Sequence, residues 1–275
     1  MLMANGGAGL IGIEHGLRGP AFSVASACAS GADGIGVAWM MLKIGMIDVA
    51  VTGAAESTIA ELGVAAFDRL GAMSRGTEHV PQPFDRDRDG LVMGEGAGIL
   101  ILERESYAKA RGAEILAELA GYAATADAFH ITAPAEDGAG GARAMQLALA
   151  NAGINTDQVD YINAHGTATP LNDAAETNAI KAAFGELAYQ IPVSSTKSMT
   201  GHMMGATGAL EAVFCVQAVR ENIIPPTIHY CTPDPECDLD YVPNEARQTN
   251  IDFAISNAFG FGGHNAVLVL SAYSG

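Results

Sequence analysis

Two segments of this chain have no polar face, and each follows a short run of small residues. Ser23-Val-Ala-Ser leads through Ala27-Cys28 into Val37-Ala-Trp-Met-Met-Leu42, and Pro192-Val-Ser-Ser leads into an apolar stretch over 205–220. Helices that are apolar on nearly every side have to be covered on every side. A second echo accompanies the first: Gly94-Glu-Gly-Ala-Gly-Ile-Leu-Ile-Leu parallels Gly262-Gly-His-Asn-Ala-Val-Leu-Val-Leu. Ser23 and Pro192 stand 169 positions apart, and Gly94 and Gly262 stand 168 apart. Two copies of one α/β unit, each with a central helix under sheet, account for both echoes.

The rest of the pattern alternates in the same way. Apolar runs at 21–25, 47–52, 99–103, 115–122, 159–164, 192–195, 251–257 and 266–270 read as strands. Helical spacing follows Cys28 and recurs at 106–111, 139–152, 173–184 and 205–220, while 54–75 reads as helical and then irregular. The alternation predicts an α/β fold with two halves, 1–113 carrying Cys28 and 114–275 carrying the second central helix. The second copy has a helix–strand run ahead of its central strand that the first copy lacks. On symmetry alone roughly 60 residues of the first half are unaccounted for, so the first half is expected to be incomplete.

Charge and cysteine usage exclude several functions. A net charge of −17 over 275 residues argues against nucleic acid as a partner. No apolar run approaches the ~20 residues of a membrane span, and no basic residue precedes Arg18 to make a signal or transit peptide. Cys28, Cys215, Cys231 and Cys237 form no C-x-x-C pair, so reduced thiols are expected, with no metal site. The compartment expected is the cytoplasm, or an organelle stroma or matrix if a further N-terminus carries a transit peptide. Gly7-Ala-Gly9-Leu-Ile-Gly12 matches a dinucleotide fingerprint, but no strand precedes it. Asp85-x-Asp87-x-Asp89-Gly90 resembles the start of a calcium loop, yet its twelfth position is Gly96, not Glu. Alternation of Asp85, Arg86, Asp87, Arg88 and Asp89 predicts a local ion-pair network instead.

Chemistry is concentrated at strand-to-loop junctions, where α/β folds place reacting groups. Cys28 sits at a helix start, where unpaired N–H groups and the helix dipole favour a thiolate and are expected to lower its pKa. A free Cys is more often a packed core residue, so partners have to decide its role. Two partners are apparent: His165 in Asn163-Ala-His-Gly-Thr167, and His202 in Lys197-Ser-Met-Thr-Gly-His202. A Gly-rich aromatic loop, Asn257-Ala-Phe259-Gly-Phe261-Gly-Gly263-His264, is of the kind that gates a pocket or aims a backbone N–H.

With those motifs in view, the chain resembles the β-ketoacyl-[acyl-carrier-protein] synthases of the elongating, Cys-His-His type (the I/II class), along its whole length. The resemblance implies a thiolase-like fold of duplicated αβαβα layers with buried central helices, here with the N-terminal portion apparently missing. It implies that Cys28 is the acylated nucleophile and that His165 and His202 act on a malonyl group, with Lys197 as the active-site lysine. It further implies an oxyanion hole from the backbone N–H groups of Cys28 and Phe261, and gating by Phe261 and Phe259. Glu211 and Asp173 would be supporting carboxylates, Thr167, Thr169 and Thr132 would contact the substrate arm, and Phe67 would line the acyl pocket. The implied partners are an acyl carrier protein and a second copy of the chain, and no cofactor is implied.

The residue types suit that reaction. A thiolate takes an acyl group from a thioester. A second substrate then loses CO₂, and two imidazoles stabilise the resulting enolate at about 3 kcal/mol per donor. A polyketide-type ketosynthase carries the same motifs, and a fragment without activity is a rival of another class. A thiolase would need a second catalytic Cys near the C-terminus, and residues 260–265 contain none. Arg69, Arg75, Arg86 and Arg88 are candidates for a basic patch facing an acidic carrier.

Overall fold

The two apolar helices lie side by side at the centre of the molecule. The structure, a computed structural model, describes residues 3–76 and 80–275. In chain order the first half contains α1 (Gly6–His15), α2 (Ser30–Lys43), β1 (Val49–Glu56), α3 (Glu61–Leu70), β2 (Gly96–Glu103) and α4 (Glu105–Ala110). The second contains β3 (Glu118–Ala126), α5 (Ala139–Ala152), β4 (Tyr161–Asn163), α6 (Pro170–Phe184), β5 (Val193–Ser194), α7 (Lys197–Thr200) and α8 (Thr207–Glu221). It closes with β6 (Ile223–Ile224), β7 (Arg247–Gln248), β8 (Phe253–Gly260) and β9 (His264–Ser271).

β1 and β2 form an antiparallel pair, and a five-stranded sheet runs in the order β3-β9-β8-β4-β5. In that sheet β8, β4 and β5 are parallel, while β9 runs antiparallel to both β8 and β3. α2 and α8 lie between the β1–β2 pair and the five-stranded sheet, and α5 covers the far face of the larger sheet with α6 packed on it. The close approach of the central helices depends on missing side chains. A Cβ on Gly31 of α2 would stand 2.6 Å from the backbone N of Ala209 in α8. The two main core clusters lie on the two sides of the larger sheet, one around Met145, Ile162 and Ile180, the other around Ile35, Cys215 and Leu268. Each such fully buried aliphatic side chain contributes about 1.5–3 kcal/mol.

Three expectations change. α2 is not covered on every side, since Met40 near its C-terminal end is exposed. Residues 21–25 form no strand, because no neighbouring strand offers their N–H and C=O groups a ladder. The description of duplicated αβαβα layers with an incomplete first half is also corrected. α2 packs against β3 and β9 as well as β1, and α8 packs against β1 and β2. The halves share one central layer, so the first is not a broken unit beside an intact one.

The Asp-Arg run at 85–89 is stapled mainly to distant segments. Asp85 Oδ2 accepts from the N–H groups of Cys231 and Thr232, both at 2.6 Å. The buried Arg88 pairs with Asp234 and lies 3.7 Å from Asp173. Only the exposed Arg86–Asp87 pair is local in the way expected.

Candidate active site

Cys28 sits two residues before the first residue of α2, on a tight turn with Ala27 at φ 51°. That left-handed conformation is strained for a residue with a Cβ, and the surroundings hold it. Ser26 N–H donates to Ser30 Oγ at 2.9 Å, and Ser26 Oγ donates to Asp33, which also accepts from Tyr122 OH. The end of β8 lies flat against the turn. A Cβ on Gly260 would stand 2.6 Å from Ser26 O and 3.1 Å from Cys28 N.

His202 Nε2 stands 3.2 Å from Cys28 Sγ, and its Nδ1 stands 3.0 Å from Thr207 Oγ1 at the start of α8. His165 follows β4, and its ring meets that of His202 edge-on with centroids 5.4 Å apart. The His165 turn is tied down by Glu176 on α6, whose two carboxylate oxygens accept from His165 N–H and Gly166 N–H, each at 2.7 Å. Lys197 Nζ donates to Glu211 Oε1 at 2.7 Å, and both side chains are only 1% exposed. The three residues Cys28, His165 and His202 therefore share one buried site.

Burial sets the protonation states. It pushes the Cys28 thiol up to about 11, against the pull of Lys197 and of the Phe261 and Cys28 backbone N–H groups. The expected lowering by the helix start is thus outweighed by desolvation. Burial, then the charge of Lys197, holds both His165 and His202 well below the ordinary imidazole range. Both are neutral at physiological pH, so each carries one N–H and one free nitrogen. Burial raises Glu176 to about 7 against its hydrogen-bond donors, and raises Glu211 against Lys197.

A cavity of about 400 Å³ reaches Cys28, His165 and His202. Thr132, Thr167, Thr169, Phe67, Phe259 and Phe261 all line it. Phe67 also packs on the Cys28–Leu91–Met204 cluster, the Phe259 ring lies 6.0 Å from that of His165, and the Thr167 and Thr169 hydroxyls meet at 2.9 Å. Asp173 stands apart: its carboxylate accepts from Phe84 N–H at 2.7 Å and faces Arg88. It anchors the 84–88 loop to α6.

Sequence reasoning overlooked Glu176, Thr207 and the amide of Asn257. Asn257 Nδ2 donates to Glu176 Oε1 at 3.2 Å. Glu176 lies one helical turn after Asp173, so an apolar-faced helix with a second carboxylate was the available signal. Among the described residues no group of three or more His, Cys, Asp or Glu side chains could hold a metal ion. Among the described residues the buried oxygens Asn163 Oδ1, Asn257 Oδ1, Glu211 Oε2 and Ser256 Oγ have no hydrogen-bond partner.

A thiol and two neutral imidazoles thus line one cavity, and comparison with known proteins shows the family. The family model described as "Beta-ketoacyl synthase, N-terminal domain" matches residues 1–108, and "Beta-ketoacyl synthase, C-terminal domain" matches residues 116–231. A 3-oxoacyl-[acyl-carrier-protein] synthase 2 from Staphylococcus aureus is 51% identical over 271 residues, covering 98% of this chain and 67% of the relative. The chain belongs to the β-ketoacyl synthase family.

Among other synthases, that of Synechocystis sp. (strain ATCC 27184 / PCC 6803 / Kazusa), also a 3-oxoacyl-[acyl-carrier-protein] synthase 2, is 50% identical over 276 residues, covering 99% of this chain and 66% of its own length. A solved type II PKS acyl-carrier protein in complex with its ketosynthase bound to the hexaketide superposes with TM-score 0.95 at 40% identity, covering 98% of this chain and 67% of that one. The ishigamide ketosynthase/chain length factor gives TM-score 0.93 at 41% identity, with 99% and 66% covered. The expectation of a broken first half is corrected here, since the family's N-terminal model matches residues 1–108 and the synthase fold extends over nearly all of this chain. The chain spans about two thirds of the length of the curated relatives it matches, 66% for several of them.

Proposed function

We propose that the chain catalyses decarboxylative Claisen condensation of an acyl-enzyme with malonyl-acyl-carrier-protein, lengthening a fatty acyl chain by two carbons. The observation that carries the reading is the shared burial of Cys28 Sγ, His202 Nε2 at 3.2 Å and the His165 ring 5.4 Å from that of His202. Cys28 attacks the acyl thioester, and His202 takes the thiol proton and returns it to the departing carrier thiolate. Backbone N–H groups of Phe261 and Cys28 face the sulfur and hold the oxyanion. When malonyl thioester enters, His165 and His202 each donate a hydrogen bond to its carbonyl oxygen as CO₂ leaves. Neutral imidazoles suit this role, because they donate without needing a counter-charge in the desolvated site.

Lys197 holds Glu211 and keeps a positive potential beside the two rings, Phe259 and Phe261 gate the cavity, and Thr132, Thr167 and Thr169 contact the pantetheine arm. Phe67 forms part of the acyl wall. The reading takes 1–113 and 114–275 as the two halves that meet at this site, and a homodimer as the assembly. An acyl carrier protein is the partner, and Arg69, Arg75 and Arg86, all exposed, are available to it, whereas Arg88 is buried. The pantetheine is the carrier's, so no resident cofactor is assigned. Four free thiols favour a reducing compartment such as the cytoplasm.

Polyketide extension is the second reading, favoured by the 40% and 41% identity to the two ketosynthases. The 50–51% identity to 3-oxoacyl-[acyl-carrier-protein] synthase 2 proteins supports elongation more strongly. Mass spectrometry of acyl-carrier-protein products tests the proposal. The unmodified chain should yield the 3-oxoacyl product two carbons longer, and Cys28→Ala should yield none. His165→Ala should retain acylation of Cys28 while losing decarboxylation. Unchanged condensation in Cys28→Ala would remove the nucleophile assignment.

A further inference from the structure

His202 is asked to do two opposite things in the proposed reaction. Toward the Cys28 thiol its Nε2 has to accept a proton, so the neutral ring carries its hydrogen on Nδ1. Toward the malonyl thioester oxygen Nε2 has to donate, so Nδ1 is then the bare nitrogen. Which tautomer is present is set by the group bonded to the other nitrogen. A backbone carbonyl at Nδ1 would lock one form, and a backbone N–H would lock the other. The group found there is a hydroxyl, Thr207 Oγ1 at 3.0 Å. It is buried, it opens α8, and a hydroxyl both donates and accepts. His165 has no such handle, because its Nδ1 is buried without a hydrogen-bond partner.

We propose that Thr207 is a positioning residue that supports both neutral tautomers of His202, accepting from Nδ1–H during acylation and donating to bare Nδ1 during decarboxylation. The inference rests on the condensing reaction proposed above. Protons balance across it. In acylation the sulfur–acyl bond forms as the carrier's sulfur–acyl bond breaks, and the thiol proton passes through Nε2 to the carrier thiolate. Between half-reactions the ring gains a proton at Nε2 from water and returns one from Nδ1, with no net uptake. The Thr207 O–H then turns toward the ring.

Three variants of the full chain test this: Thr207→Val, which keeps the shape without the hydroxyl, Thr207→Ala, and Thr207→Ser, which restores the hydroxyl. Acylation of Cys28 and malonyl decarboxylation are measured separately, and nitrogen NMR of histidine-labelled protein reads the His202 tautomer. Without the hydroxyl a proton on the buried Nδ1 would have no acceptor, so His202 settles with its proton on Nε2. Acylation should then fall about tenfold relative to decarboxylation for Thr207→Val and Thr207→Ala, with Thr207→Ser within about threefold of the original. The unmodified protein should show both tautomers, and Thr207→Val one. Equal loss in both half-reactions, no loss, or failure of Thr207→Ser to recover activity would overturn the proposal. If Thr207→Val does not fold, the tautomers of the unmodified protein and of Thr207→Ser decide, and a single fixed tautomer in both overturns it. An unmodified chain that neither acylates Cys28 nor decarboxylates malonyl carrier would instead sink the condensing reaction, leaving the NMR to judge the Thr207–His202 bond.

Discussion

His202 approaches Cys28 from 174 positions away in the chain, and residues of the first half hold its backbone in place. Its N–H donates to Val92 O at 2.7 Å, and its carbonyl accepts from Gly94 N–H at 2.9 Å. The loop that precedes β2 is therefore part of the mounting of the second imidazole. Neither half holds both the sulfur and its base.

Burial of that sulfur has a pH signature. The Cys28 pKa is pushed from 9.0 to about 11, so the thiolate fraction is small throughout the neutral range. Alkylation of Cys28 by iodoacetamide should rise about tenfold per pH unit through pH 9 and level off only near 11. Peptide mass spectrometry follows Cys28 separately from the exposed Cys231. A plateau by pH 8 would mean that the thiol ionises far more readily than its surroundings allow.

The two imidazoles act on stability in the opposite pH direction. Both have folded-state pKa values well below 6.5, so below that pH the unfolded chain binds protons that the folded chain does not. Stability is then present above pH 6.5 and declines as the pH falls, by at most about 1.4 kcal/mol per pH unit for each ring. Burial raises Glu176 and Glu211 to about 7, and they act oppositely over the same range. The test is therefore a difference: between pH 7.5 and 5 the urea midpoint of the original should fall by more than that of His202→Gln. An equal fall in that variant would count against a buried neutral His202.

Much of this arrangement was legible in the sequence, for identifiable reasons. Residues 139–152 carry an apolar face and end at Gly153, which caps the helix in the left-handed conformation, and α5 has those bounds. The G-rich echo placed β2 and β9 as equivalent strands, each found antiparallel to the strand before it, β1 or β8, because period and composition are local signals. What the sequence hid was long-range. Residues 21–25 have strand composition but no neighbour to pair with, and Arg88 leaves its adjacent Asp residues for Asp234 and Asp173. The rise in the Cys28 pKa was hidden for the same reason, since desolvation depends on what covers the turn, and that cover includes β8 and the His202 segment.

The buried pair Lys197–Glu211 makes a separate prediction. Glu211→Gln leaves the ammonium without a counter-charge in a site 1% exposed, and breaking such a pair costs about 3–5 kcal/mol. Replacing both, as Lys197→Met with Glu211→Leu, should recover most of that loss in urea denaturation while condensation stays lost. If Glu211→Gln unfolds at the same midpoint as the original, the pair contributes nothing to stability and its role is confined to the site's potential.

The central helix crossing supplies the last test. On α2, Gly31 faces α8 so closely that a Cβ would meet Ala209 N at 2.6 Å and Gly205 O at 2.7 Å. One turn later on the same helix, a Cβ on Gly34 would meet nothing nearer than 3.8 Å. Gly31→Ala should therefore destabilise by about 1–3 kcal/mol through overpacking. Gly34→Ala should instead stabilise by up to about 1 kcal/mol, because alanine favours the helix. Activity should follow the same split. Pushing α8 away from α2 moves Thr207, and with it the ring that faces Cys28. Thermal unfolding and condensation rates of the two variants check this together, and a Gly31→Ala protein as stable and as active as Gly34→Ala would show that the crossing yields where the geometry says it cannot.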